Sequence, residues 1–244
     1  MSFLSTKASV LIASSITLLL ISTGVAGGEM VFRYNSPSVS SLGKDDSQSA
    51  SPACYEAENI GTVGDKPGCD GMLIVSEKSL KEAGSRYTSE NGNGFFYVSS
   101  GGKKYTFADS PEGSDDGNVF TGQVKNMKDL FQDTNFNGDI GYWDVSRVVE
   151  MTSPFAGATN FNQDIGSWDV SSVENMNFMF QSSMSFDQDI TSWDVSNVEK
   201  MVYMFSFAKV FDQDIISWNV ENVVSSVNFA KDSAIEGTSK IPDF

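Results

Sequence analysis

Two ladders of aspartates, four aligned tryptophans and one pair of cysteines are the residues of this sequence whose types and spacing could do chemistry. Asp139, Asp164, Asp189 and Asp214 form one ladder, and Asp144, Asp169 and Asp194 form a second that Asn219 completes. Both recur every 25 residues. On adjacent strands, residues in register lie about 5 Å apart, so like charges would repel. Three arrangements offset that repulsion: acceptance of backbone N–H groups at turns, which suits Asn219 equally well; bound cations; or an acidic face held against a partner. Asp133, Asn135, Asn137, Asp139 and Asp144 also fit a calcium-loop pattern, with Asp where Glu normally closes the loop. The repeat already accounts for Asp139 and Asp144, so no cofactor is expected and calcium is the one weak metal candidate. Trp143, Trp168, Trp193 and Trp218 offer either a platform for sugar rings or a buried core ladder, and large apolar area favours the core. Cys54 and Cys69, with 14 residues between them, read as a disulfide.

What is missing narrows the chemistry further. The chain contains no histidine, so Ser-His-Asp and Cys-His relays and imidazole metal ligands cannot form. The aspartate pairs are features of the repeat, which leaves a carboxylate-pair glycosidase as the weakest reading and a non-enzyme as the expectation. Thirty-two acidic residues against 16 basic ones give a net charge of −16 over 244 residues. A surface of that sign repels phosphate backbones, so nucleic acid is not an expected partner. From Phe136 onward the chain has 16 acidic and 5 basic residues, a charge of −11, and a macromolecular partner should present basic or polar groups.

The elements that position these residues follow from the same period. FNGDIGYWDV, FNQDIGSWDV, FDQDITSWDV and FDQDIISWNV begin at Phe136, Phe161, Phe186 and Phe211. Val148, Val173, Val198 and Val223 follow, then Met151, Met176 and Met201, and a partial unit with Val124, Met127, Leu130 and Phe131 precedes them. Units of this length cannot bury their apolar side alone and stack into a solenoid. Alternation around each Ile predicts a short strand, and Val173, Met176, Met179 and Phe180 fall at helical intervals. The fold class expected is an α+β repeat solenoid of stacked strand-plus-short-helix coils over residues 119–235. Ser226 and Ala230, where Met and Phe are due, predict a C-terminal cap, and 236–244 read as a tail.

Upstream, residues 53–118 predict a disulfide-stapled N-terminal cap domain. The run Gly71–Val75 has strand character, and Ser76 caps a helix carrying Leu80 and Ala83 that Gly84 should end. Phe95–Val98 and Lys103–Phe107 flank Ser99–Gly102 as a β-hairpin. Residues 27–52 are a Ser-rich linker without core-forming composition. Residues 1–26 carry Lys7 and an apolar run from Ala8 to Ala26, the form of a signal peptide cut after Ala26. The alternative is a retained apolar helix, since 19 residues span about 28 Å, close to the hydrocarbon core. Export, to the cell surface or the medium, follows from either. Retention would allow a membrane anchor, or self-assembly through residues 8–26 into a pilus-like filament.

The run FNQDIGSWDVSSVENMNFMF, echoed from Gly122 to Phe229, resembles the 25-residue repeat of the BspA-like leucine-rich-repeat surface-protein family. The resemblance covers roughly half the chain. It implies exported proteins displayed on bacteria and some single-celled eukaryotes, with adhesion to host or neighbouring-cell proteins or glycans, and it carries no catalytic residues. This chain departs from the family in being short and in lacking a lipid-attachment cysteine and a C-terminal sorting motif, since it ends in IPDF.

Overall fold

The computed structural model describes residues 52–56, 58, 60–62, 64, 65, 69, 70, 72–89, 97–100, 103–106 and 117–244. The apolar segment and signal peptide expected over 1–26, and nearly all of the linker expected over 27–52, lie outside the described residues. Among the described residues no helix is long and apolar enough to cross a membrane.

The N-terminal region is a small α/β unit. A 3-10 turn over Pro52–Tyr55 brings Cys54 to Cys69, and the two are joined by a disulfide. Strand β1 (Leu73–Ile74) leads into helix α1 (Glu77–Ser89), whose first turn Ser76 caps by accepting the Ser79 N–H at 3.1 Å. The helix runs past Gly84 to Ser89, which corrects the earlier stop expected at that glycine. A single glycine costs a helix only about 1 kcal/mol, and the absence of a left-handed break lets the turn continue. Strands β2 (Tyr97–Ser100) and β3 (Lys103–Thr106) pair antiparallel from Tyr97↔Thr106 to Ser100↔Lys103. Strand β4 (Gly117–Phe120) then runs parallel to both β3 and β1, giving the order β1-β4-β3-β2. Cys54, Cys69, Ile74 and Phe120 form a compact buried cluster on this sheet. Leu73, Leu80 and Ala83 join the long core of the repeats instead.

From Thr121 onward the chain is built of units lying one upon the next, the first step 24 residues long and the later ones 25. Single parallel bridges join Asn126 to Glu150, Glu150 to Asn175, Asn175 to Lys200 and Lys200 to Ser225. Between these units one wall is a ladder of backbone bonds with a fixed direction. Met151, Ser153, Phe155 and Gly157 donate their N–H groups to the carbonyls of Asn175, Asn177, Met179 and Gln181, and the same four positions repeat the pattern at every junction. The earlier unit always donates on this wall. A single return bond, such as Glu174 N–H to the Val149 carbonyl or Glu199 N–H to the Glu174 carbonyl, runs the other way.

No α-helix and no multi-residue strand occurs among residues 121–244, which corrects the strand and short helix expected in each unit. The reason lies in the backbone. Asp129, Ser153, Phe178, Tyr203 and Asn228 have φ between 55° and 58°, and four residues later Asp133, Gly157, Ser182, Phe207 and Asp232 are again left-handed. A left-handed residue reverses the winding that the preceding turn began, so helical hydrogen bonding cannot propagate. The chain instead advances along the wall in short turns, such as Leu130 N–H to Met127 carbonyl and Gln132 N–H to Asp129 carbonyl. Val, Met and Phe at helical intervals therefore mark inward-facing turn positions.

Candidate interaction surface

The Phe and Trp rows common to the four units are committed to the interior. Phe136, Phe161, Phe186 and Phe211 are buried and stack at centroid spacings of 6.2, 5.9 and 5.9 Å. A second row, Phe131, Phe155, Phe180 and Phe205, runs beside it at 5.8, 5.7 and 5.6 Å. Within a unit the two rows touch face to face, Phe155 on Phe161 at 4.0 Å and Phe180 on Phe186 at 3.9 Å. Trp143, Trp168, Trp193 and Trp218 are no more than 5% exposed. The indole N–H groups of Trp168, Trp193 and Trp218 donate to the carbonyls of Ile140, Ile165 and Ile190 in the unit before. Their faces are therefore not presented to solvent, and a sugar platform of tryptophans is ruled out by burial.

The aspartates lie on the outside and bond to their own turns. Asp139, Asp164, Asp189 and Asp214 accept the N–H groups of Gly141, Gly166, Thr191 and Ile216 through Oδ1. Asp144, Asp169, Asp194 and Asn219 do the same for Ser146, Ser171, Ser196 and Glu221. This is an Asx turn, and Asn219 makes it as well as aspartate does. The hydroxyl and N–H of Thr191 hold the Asp189 carboxyl below the usual carboxylate range, and Ser196 does so for Asp194. Asp164, Asp169, Asp189, Asp194 and Asp214 stay exposed, so the turns present carboxylates at the repeat spacing.

The calcium-loop residues do not converge. Asp139 Oδ1 is used by Gly141, Asn137 Oδ1 accepts the Asn162 N–H at 2.8 Å, and Asp144 is shared by Ser146 and Tyr55. Among the described residues no group of three or more acidic, cysteine or histidine side chains is placed to hold a metal ion. Of the weak candidate set Asp133, Asn135, Asn137, Asp139 and Asp144, the three aspartates form no such group.

Sequence reasoning missed two features. Tyr55 Oη donates to Asp144 Oδ2 at 2.7 Å, tying the disulfide turn to the first repeat, and Arg147 lies over the Tyr55 ring at 5.5 Å. Nothing local in the sequence announces a contact 89 residues apart. The left-handed positions carried a readable signal: Asp, Ser, Asn and Gly occupy them in several units, although Phe178, Tyr203 and Phe207 break that pattern. Phe178 and Tyr203 stack at 5.5 Å with their planes 9° apart.

No curated protein and no solved structure matches the chain. The model of one family matches residues 106–197 and 125–236, together more than half of the 244 residues. By that match, the stacked 25-residue units place this chain in the family described as Mycoplasma protein of unknown function, DUF285.

Proposed function

We propose that this chain is a non-enzymatic BspA-like repeat protein, exported to the cell surface or released, whose leucine-rich-repeat-like solenoid mediates adhesion or another macromolecular interaction. The observation that carries the reading is the division of labour in the repeat. The Phe and Trp rows common to the four units serve the core, while Asp164, Asp189 and Asp214 recur on the exposed turns. A repeated, accessible carboxylate suits avid contact with a partner bearing spaced basic or polar groups, because successive contacts act at high effective concentration. The partner is a protein or glycan of a host or neighbouring cell, and nucleic acid is disfavoured by the charge. Beads coated with the full chain should retain cells or matrix components. Changing Asp164, Asp189 and Asp214 together to Asn should weaken that retention while keeping the Asx turns, as Asn219 does naturally. Absence of retention across cells, matrix proteins and glycans would remove the adhesion reading.

The 19-residue apolar run from Ala8 to Ala26 favours a second reading, a structural subunit anchored in a membrane or packed into a surface filament through that segment. Intact mass and N-terminal sequencing of native material separate the two. A start at Gly27 leaves the released or partner-held module, and a start at Met1 favours the anchored or filament-forming subunit.

A further inference from the structure

Asn137, Asn162, Asp187 and Asp212 occupy one column of the stack, and the column changes residue type along the way. Oδ1 of each of the first three accepts the backbone N–H of the next: Asn162 donates to Asn137 at 2.8 Å, Asp187 to Asn162 at 2.9 Å and Asp212 to Asp187 at 2.9 Å. Beside these bonds the side-chain amides of Gln163, Gln188 and Gln213 donate to the backbone carbonyls of Asn137, Asn162 and Asp187. Amide and carboxylate thus serve the joint equally. The residue that follows the column differs in one unit: Gly138 stands where the others have Gln163, Gln188 and Gln213. An asparagine before glycine is the one most open to attack by its own backbone, because no Cβ shields the glycine nitrogen. The structure leaves the reacting groups accessible. Asn137 is exposed, and the Gly138 N–H meets no acceptor among the described residues. Since Oδ1 faces the Asn162 N–H, Nδ2 is turned away from that bond. The same N–H is placed to hold the negative charge that develops on Oδ1 when Cγ is attacked.

We propose that Asn137 is a self-modifying site, which loses ammonia and becomes a mixture of aspartyl and isoaspartyl forms. Gly138 N gives its proton to solvent hydroxide and bonds to Asn137 Cγ. The Cγ–Nδ2 bond breaks, and Nδ2 takes a proton from water and leaves as ammonia. Water then opens the cyclic imide, and nothing is oxidised or reduced. Cleavage between Gly138 N and Cγ gives the aspartyl form. Cleavage between Gly138 N and the main-chain carbonyl carbon gives the isoaspartyl form, whose backbone runs through Cγ. The two products act differently on the stack. The aspartyl form keeps the bond to the Asn162 N–H, as Asp187 does for Asp212, and adds one negative charge. The isoaspartyl form lengthens the main chain by one methylene group, which moves the acceptor out of register and releases the Asn162 N–H. The joint between the first two full repeats therefore changes with time, while the next joint, with Gln163 after Asn162, lags behind it. This inference stands apart from any role of the acidic turns.

Ageing the full chain at mildly alkaline pH tests it. Peptide mapping by mass spectrometry follows the fragments that carry Asn137 and Asn162 separately, and so keeps apart any conversion at Asn91–Gly92 and Asn93–Gly94, which lie outside the described residues. Asn137 should convert at least about tenfold faster than Asn162, a barrier difference of about 1.4 kcal/mol. An isoaspartyl carboxyl methyltransferase with labelled methyl donor should mark the Asn137 fragment and leave the Asn162 fragment unmarked. Gly138→Gln should bring Asn137 down to the rate of Asn162. Gly138 is not among the left-handed glycines, so glutamine fits there as Gln163 does, and the wild-type comparison of Asn137 with Asn162 decides even if that variant misfolds. In the separated isoaspartyl form the Asn162 amide should exchange faster, whereas Asn137→Asp should keep its protection. Equal rates at Asn137 and Asn162 would overturn the proposal. So would an unchanged Asn137 in the folded chain over a time in which the synthetic peptide TNFNGDIG, copied from residues 134–141, converts. Full protection of the Asn162 amide in the isoaspartyl form would overturn the effect on the joint.

Discussion

Tyr55 Oη lies 2.7 Å from Asp144 Oδ2 and donates to it, one of two hydrogen bonds that join the disulfide turn to the first full repeat, the other running from Arg147 Nη1 to the Tyr55 carbonyl at 3.4 Å. Burial, together with this bond and the charge of Asp144, pushes the Tyr55 phenol up to about 12 from its ordinary 10. A raised tyrosine pKa favours the neutral form in the folded state. Its contribution to stability is therefore complete below pH 10 and is lost as pH rises from 10 towards 12. Phenolate absorbance of the wild type minus Tyr55→Phe should show one tyrosine titrating late. The variant should lose part of the stability difference between pH 9 and pH 12 that the wild type shows.

The acidic end behaves oppositely. Thr191 and Ser196 depress the carboxyls of Asp189 and Asp194, so these groups stabilise the fold above the ordinary carboxylate pKa and cease to do so as pH falls through their lower folded values. Denaturation midpoints should hold steady from neutrality down to about pH 4 and fall below it. Asp189→Asn and Asp194→Asn together should flatten that acid limb and leave the neutral midpoint nearly unchanged, since Asn keeps the turn bond.

Trp193 is 4% exposed and its indole N–H donates to the Ile165 carbonyl at 3.2 Å. Trp193→Phe keeps an aromatic face but strands that buried carbonyl, at a cost of about 1–3 kcal/mol. Trp193→Ala adds a cavity and should cost about 3–5 kcal/mol. Urea denaturation followed by far-ultraviolet circular dichroism measures both, and an undiminished midpoint in Trp193→Phe would show that the hydrogen bond contributes nothing.

Gly157 adopts φ +67°, and a Cβ built there would lie 2.2 Å from Asp133 Oδ1. Gly157→Ala should therefore cost about 1–2 kcal/mol in left-handed strain, with a further penalty from the clash. Adding Asp133→Ala should recover the clash part alone. Full recovery in the double variant would mean that the backbone at Gly157 is not strained by a side chain.

The sequence made some of this legible and hid the rest, for physical reasons. The Ser76 cap and the β2–β3 pairing are local, so residue type announced both. The 25-residue period told which side chains are equivalent, because a stack repeats its contacts. Local backbone was another matter. Spacing of three and four at Val173, Met176, Met179 and Phe180 reads as helix, yet inward-facing positions on a left-handed-punctuated wall fall at the same intervals. Aromatic residues at Phe178 and Tyr203 concealed the left-handed conformation that Ser153 and Asn228 hint at, since neighbouring rungs impose it there. The Tyr55 contact depends on how the N-terminal unit meets the repeats, which no local pattern encodes.

The joints between units are interchangeable. Phe161 to Phe186 and Phe186 to Phe211 share one spacing of 5.9 Å, and the same four backbone donors recur at each junction. Cutting out or duplicating any 25-residue block between equivalent positions would bring together two surfaces that already fit. A single slip during DNA replication could thus lengthen or shorten the molecule by whole steps with no new packing to be invented. Reach becomes a quantity that selection can adjust while the N-terminal unit keeps its form.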